Sequence, residues 1–265
     1  MLKLPKISEY IDMLQSQGRY TVCKDEISKV MMISPDALKI ALLRLVQKKR
    51  IACPRRGFYV IVPLEYRIKD APPVSWFIDD LMKYLGSPYY VGLLSAAELH
   101  GAAHQKPQEF QVISKKPLRE IRMRGLRIRF IKKRNMEKTP VMNVQTETGS
   151  MCVSTLEATS FDLIRYMDMA GSLSNVATVL AELAESLNPE KLLVAAQIDI
   201  ELSSIQRLGY LIESLGFKQL VAPLWEWTSH QRLYPVLLKP GHRDAKSFKD
   251  ARWSVIVNEQ VELDI

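Results

Sequence analysis

Apolar residues recur at helical spacing through the first fifty positions. Ile7, Tyr10, Ile11 and Leu14 mark one face of a helix expected over Leu4–Gln17, stopped by Gly18. Ile27, Val30 and Met31 predict a second helix over Lys24–Met31. After a short turn through Met32 and Ile33, Leu38, Ala41, Leu42, Leu45 and Val46 predict a third. Its start is punctuated: Ser34 offers an N-cap oxygen, Pro35 suits the first helical position, and Asp36 suits the positive helix end. The period then drops to that of strands. Ile51-Ala52-Cys53 and Phe58-Tyr59-Val60-Ile61 flank a tip, Pro54-Arg55-Arg56-Gly57. Helix, turn, capped helix and basic hairpin are the parts of a winged helix-turn-helix, a device that reads duplex DNA.

Beyond Val62 the pattern changes. Arg67–Val74 contains Pro72-Pro73 and reads as a linker. Helical stretches follow at Trp76–Leu85 and Gly92–His100, then strand-like runs at Phe110–Ser114, around Ile121–Phe130, at Val141–Gln145 and at Ser150–Val153. From Leu156 the periodicity is helical: Leu156–Ala170, Ser172–Ser186, Pro189–Ile200 and Ser203–Leu215. Strand-like runs return at Leu233–Leu238 and Trp253–Val257. The expectation is an α+β protein: residues 1–66 a winged helix-turn-helix, 67–74 a linker, and 75–265 a larger α/β-type domain with a mixed sheet and several helices. No repeat of fixed period and no low-complexity tract is present.

Charge sharpens the functional reading. Residues 1–62 hold twelve Lys/Arg and five Asp/Glu, +7 of the chain's net +8. A basic domain neutralises phosphates and releases their counterions. On the capped helix Asp36, Ile40, Leu43, Arg44 and Gln47 project away from the apolar stripe, with Lys39 on the flank. Lys39, Arg44, Gln47, Lys48, Lys49, Arg55 and Arg56 are the candidate contacts to double-stranded DNA. The plain structural reading is that basic helix ends only complement the helix dipole. For Ile40 and Leu43 two readings stand: contact with thymine methyl groups, or packing against another part of the protein.

A second basic island spans residues 106–138, with twelve Lys/Arg and three Asp/Glu. Arg122 and Arg124 alternate with Ile121 and Met123; after Gly125, Arg127 and Arg129 alternate with Leu126, Ile128 and Phe130. A turn or bulge at Gly125 absorbs the change of parity and sets Arg122, Arg124, Arg127 and Arg129 on one solvated face, with Lys132 and Lys133 nearby. This is either a contact for an anionic partner or an edge strand guarded by charge.

Catalytic patterns are missing. There is no phosphate loop, dinucleotide fingerprint or nucleophile elbow, so the chain is not expected to be an enzyme and no cofactor is implied. His100 and His104 share a helix face only if the helix runs through Gly101, His230 and His242 are isolated, and no metal site is expected. Trp225-Glu226-Trp227 reads as core or interface packing. Cys23, Cys53 and Cys152 lie far apart and suit a reducing, cytoplasmic setting. No run of eighteen apolar residues suggests a membrane span, and the N-terminus reads as an amphipathic helix.

Three stretches resemble the AbiEi family of antitoxins from abortive-infection (type IV) toxin–antitoxin systems: SPDALKIALLRLVQKKRIACPRRGFYVIVP, YYVGLLSAAELHGAAHQKPQEFQVIS, and RGLRIRFIKK. The resemblance implies an N-terminal winged helix-turn-helix that represses its own operon. It also implies a C-terminal domain that antagonises a nucleotidyltransferase-like toxin encoded alongside, directly or indirectly. The alternatives are a winged-helix transcription factor with a ligand-sensing second domain, and a nucleic-acid enzyme with a targeting module. The latter needs clustered acidic metal ligands that the sequence does not offer.

Overall fold

The computed structural model describes residues 6–102, 107–198, 201–241 and 247–262. They form two compact units, each drawn from separate stretches of chain. The first comprises the described residues up to Tyr89 with Gln108–Lys133 and Asn143–Cys152; the second comprises those of Tyr90–Pro107, Arg134–Met142 and Val153–Ile265.

The first unit opens with α1 (Ile7–Ser16), β1 (Thr21–Cys23), α2 (Lys24–Met31), α3 (Pro35–Gln47), β2 (Ile51–Arg55) and β3 (Phe58–Ile61). Helix α2 has the expected bounds, and α1 is shorter than expected, with Leu4 outside the described residues. The stop at Gly18 follows the usual logic, since its φ of 75° favours a residue without Cβ. Ser34 caps α3 by accepting the Ala37 amide at 3.3 Å, with Pro35 at the first position. One apolar cluster holds these elements together, including Ile11, Leu14, Ile27, Met31, Leu38, Leu42 and Ile51. Val30, expected in the buried stripe of α2, is instead 41% exposed; Ile27 and Met31 suffice to seat this short helix. Strand β1 was not expected. It pairs antiparallel with β3, making the three-stranded order β1-β3-β2. Three residues are too few to display a strand period. Pro54 interrupts β2, whose register on β3 shifts between Ala52 and Arg55, as a residue lacking N–H forces.

The chain does not leave this unit at the expected linker. Two 3-10 turns, Leu64–Tyr66 and Val74–Trp76, lead into α4 (Ile78–Tyr84). Ala71, Pro72 and Val74 are buried. Trp76 packs edge-on against Tyr20 and Tyr66, with ring centroids 4.9 and 5.3 Å apart. Thr21 donates to Asp80 at 2.5 Å, and the Tyr84 hydroxyl donates to the Arg56 carbonyl at 2.9 Å. The compact unit runs on through Tyr89, so Pro72-Pro73 stiffens a packed corner rather than a free tether.

The pairing then widens. β4 (Tyr89–Val91) and α5 (Leu93–Leu99) precede β5 (Phe110–Ser114), β6 (Ile121–Met123) and β7 (Leu126–Lys132). β5 and β7 run parallel, and β6 and β7 form an antiparallel hairpin closed by Arg124-Gly125. Gly125 takes φ of 71°, the conformation such a two-residue turn demands. β8 (Val141–Thr146) and β9 (Gly149–Ser154) follow. Val91 of β4 pairs parallel with Val153 of β9. With β5–β7 parallel and β6–β7 antiparallel, the strand pairing is mixed, as expected.

The second unit is mostly helical: α6 (Leu156–Arg165), α7 (Leu173–Ala184), α8 (Pro189–Ile198), α9 (Leu202–Ser214) and α10 (Ala222–Ser229). The expected extension of α8 to Ile200 lies outside the described residues. Helix α6 is shorter than expected: the chain leaves helical geometry at Tyr166 and makes a 3-10 turn at Met167–Met169. α6 is the central helix, touched by α5, α7, α8 and α9, and every residue from Glu157 to Ile164 is buried. Its hydroxyl side chains are satisfied locally. Thr159 donates to the Thr155 carbonyl at 2.8 Å, Ser160 donates to the Leu156 carbonyl at 3.0 Å, and the Ser154 and Thr159 hydroxyls share a 2.7 Å hydrogen bond. Tyr90 donates to Asp162 at 2.7 Å. Burial, and next the Asp162 charge, push the Tyr90 hydroxyl well above its ordinary pKa, so it stays a donor. Tyr90→Phe is expected to lower stability by about 1.5–3 kcal/mol, the usual worth of a hydrogen bond to a charged group. Chemical denaturation checks it, and an unchanged midpoint contradicts it. The strands β10 (Val236–Leu237), β11 (Phe248–Asp250) and β12 (Val255–Val257) complete the fold in the order β10-β12-β11. Trp225 and Trp227 sit on the unforeseen α10, where Trp225 meets Trp253 edge-on at 5.5 Å.

Candidate nucleic-acid interface and arginine cluster

The candidate side chains of the first unit separate into two groups. Lys39, Arg44, Gln47 and Lys48, along α3 and at its C-cap, are exposed, as is Arg56 in the hairpin turn. Apolar Leu38, Leu42 and Leu45 anchor the opposite side of the helix, so its burial dictates which residues face water. None of these five makes an ion pair among the described residues. Ile40 and Leu43 stay exposed among them, at 50% and 56%, which removes the packing alternative within the described residues.

Lys49 and Arg55 differ. Lys49 has φ of 55° just past α3 and is paired with Asp70 at 2.8 Å. Arg55 was expected at a free tip, but it ends β2, and its guanidinium donates to the Arg119 carbonyl and lies 5.9 Å from the Phe130 ring centroid. Burial, and next the charge of Arg119, push its pKa below the ordinary arginine value. The register shift at Pro54 accompanies this, and the residue pattern alone does not signal it. Elsewhere in the unit Arg19 is held by Glu26 at 2.8 Å, and Arg50 by Asp12. Of the seven candidate contacts, those on the outer side of α3 and Arg56 are therefore the ones left exposed and without an ion pair among the described residues.

The second basic island is organised but less positive than its composition suggests. Arg122 and Arg127 face each other across the β6–β7 hairpin. Arg124 occupies the turn, so the expected four-arginine face is a three-arginine face. Two carboxylates thread it: Glu120 binds Arg122 at 3.0 Å and also Arg127, and Glu109 lies 2.9 Å from Arg129 and 3.4 Å from Arg127. Lys132 is exposed, whereas Lys133 is buried. The hydrogen bonds from Arg122, then Arg127, hold the Glu120 carboxyl at about 2 against an ordinary 4.5. A depressed carboxylate favours the folded state above its ordinary pKa and loses that contribution as pH falls through the shifted value. The Glu120 side-chain carbon resonance is expected to titrate near pH 2; a midpoint near 4.5 contradicts the pairing.

Among the described residues no catalytic constellation assembles around the histidines. Helix α5 ends before Gly101, which has φ of 87°, and His100 Nε2 lies 2.8 Å from the Ser154 carbonyl. His104 and His242 lie outside the described residues, and His230 is exposed. Among the described residues no group of three His, Cys, Asp or Glu could hold a metal ion, and the three cysteines are free. No helix among them is long and apolar enough to cross a membrane.

These features define an α+β protein with a basic unit built on a capped helix and a second unit packed around one buried helix. The chain as a whole is similar to the crystal structure of the RV2827C protein from Mycobacterium tuberculosis, with a TM-score of 0.68 over 96% of this chain and 92% of that one. At 13% identity this likeness concerns the fold. No curated protein matches the sequence. Residues 90–214 match the family model of the AbiEi antitoxin C-terminal domain, and that match supports an antitoxin of the AbiEi family. The matched span contains the arginine hairpin and continues to the end of α9, well past the stretches that carry the resemblance in sequence.

Proposed function

We propose that this chain is an AbiEi-family antitoxin and also a DNA-binding autorepressor of a type IV toxin–antitoxin system, and that α1–β3 form a winged helix-turn-helix. On this reading α3 enters the major groove, the β2–β3 hairpin is the wing, and the partner it counteracts is a nucleotidyltransferase-like toxin encoded beside it. The setting is cytoplasmic. The observation that carries the proposal is the outer side of α3: Lys39, Arg44, Gln47 and Lys48 are all exposed on a helix whose opposite side is locked in the core. Phosphate contacts of this kind supply affinity and register, while Arg44 and Gln47 are of the types that read base edges. Arg56 is the wing contact, and Lys49 and Arg55 leave the list of direct contacts because their partners are within the protein.

The test is binding of the full chain to duplex DNA from upstream of its own gene across a range of salt. A steep linear fall of log affinity with log salt, and tighter binding than to unrelated duplex, is expected. Salt-independent or undetectable binding overturns the proposal. For the arginine hairpin we propose a role in toxin antagonism, carried by its position within the matched antitoxin span. Arg122→Glu with Arg129→Glu is expected to weaken growth rescue while leaving DNA binding intact. Full rescue would return this surface to edge protection.

A further inference from the structure

Helix α3 turns an ordered face outward. At 100° per residue, Asp36, Ile40, Leu43 and Gln47 fall along one line, with Lys39 on one flank and Arg44 on the other. The middle of that line is apolar: Ile40 is 50% exposed and Leu43 56%. The opposite side, Leu38, Leu42 and Leu45, is buried, so the helix cannot roll to hide the pair. The outer side is therefore apolar along its centre and cationic on both edges.

That cross-section matches one ligand feature. The major groove of B-DNA is about 12 Å wide, with phosphates along both walls, and the apolar group on its floor is the C5-methyl that an A·T pair shows. Cations on both flanks suit the walls, and a branched aliphatic pair between them suits methyl groups. A second protein copy would bring the same cations face to face across the apolar pair, which like charges oppose.

We infer that Ile40 and Leu43 read thymine methyl groups, so that the site preferred by this chain is thymine-rich where it faces α3. The inference rests on the DNA-binding reading above and adds the base class and the residues that select it.

The test uses the full chain and two duplex probes of equal length, alternating dA–dT and alternating dA–dU, which differ by the methyl group. Burying one methyl is worth about fourfold in affinity. The wild-type chain is expected to prefer the thymine duplex about four- to fifteenfold, for one or two methyls contacted. The Ile40→Ala/Leu43→Ala variant is expected to bring that ratio close to one, with its affinity for the uracil duplex, salt slope and thermal melt near wild type. Equal wild-type affinity for the two probes overturns the inference and leaves DNA binding standing. So does a thymine preference that survives in the variant, or a variant whose main change is in sedimentation, which would assign the pair to a second copy. Absence of salt-dependent binding to either probe overturns both readings.

Discussion

Replacing Lys39, Arg44, Lys48 and Arg56 together with alanine is expected to lower affinity for duplex DNA by roughly 10²–10³-fold near physiological salt, and to flatten the salt dependence by about three to four ion equivalents. All four are exposed and without ion-pair partners among the described residues, so each is available to a phosphate or a base edge. Exposed charges contribute little to folding, typically under ~1 kcal/mol each, and the melt should stay near wild type. Arg55→Ala is the contrasting control. Arg55 is turned onto the Arg119 carbonyl and the Phe130 ring, so its loss should lower stability while leaving the salt slope nearly unchanged. A slope that falls equally for Arg55→Ala and for Arg56→Ala would contradict this division between inward and outward cations.

Gly209→Ala is expected to be the most damaging single substitution in the second unit. A Cβ on Gly209 would stand 2.2–2.5 Å from three ring carbons of Trp253, far inside contact distance. The ring has nowhere to go. Trp253 is 1% exposed, its indole donates to Glu213 at 2.7 Å, its backbone amide donates to Asp250 at 2.7 Å, and Trp225 presses against it. Overpacking of this kind costs about 1–3 kcal/mol or more, against which the better helix propensity of alanine returns about 1 kcal/mol. A net loss of about 2 kcal/mol shifts the melting temperature of a domain this size by roughly 4–8 °C. Gly209→Ala with Trp253→Leu relieves the clash, so the two changes should cost clearly less together than the sum of each alone. Additive losses, or a melt unmoved by Gly209→Ala, would show that the helix and ring can separate.

Some of this is legible in the sequence. Ser34-Pro35-Asp36 is a strong start signal, and the Leu38–Leu42–Leu45 stripe fixed which side of α3 faces water. Gly125 announced the hairpin turn through the parity change around it. Other features depend on partners distant in sequence. Arg55 is absorbed by residues beyond position 118, and Arg127 and Arg129 are paired with Glu120 and Glu109, which strand pairing brings alongside. A count of charges cannot reveal which are paired. Pro72-Pro73 misled for a related reason: two prolines restrict the backbone equally in a tether and in a packed corner, and only the burial of Ala71 and Val74 tells them apart. Cutting the chain at Ser75 would therefore split a compact unit, and the full chain is the right material for separating the functions.

The most direct test of the account is growth rescue from the toxin encoded beside this gene, with both proteins expressed from promoters that the antitoxin does not control. The wild-type chain is expected to restore growth, and the Lys39/Arg44/Lys48/Arg56 alanine variant to restore it as well, while failing to repress its own promoter. Failure of the wild-type chain to rescue, or loss of rescue and repression together in that variant, would contradict an antitoxin whose DNA-binding side chains are separate from those that oppose the toxin.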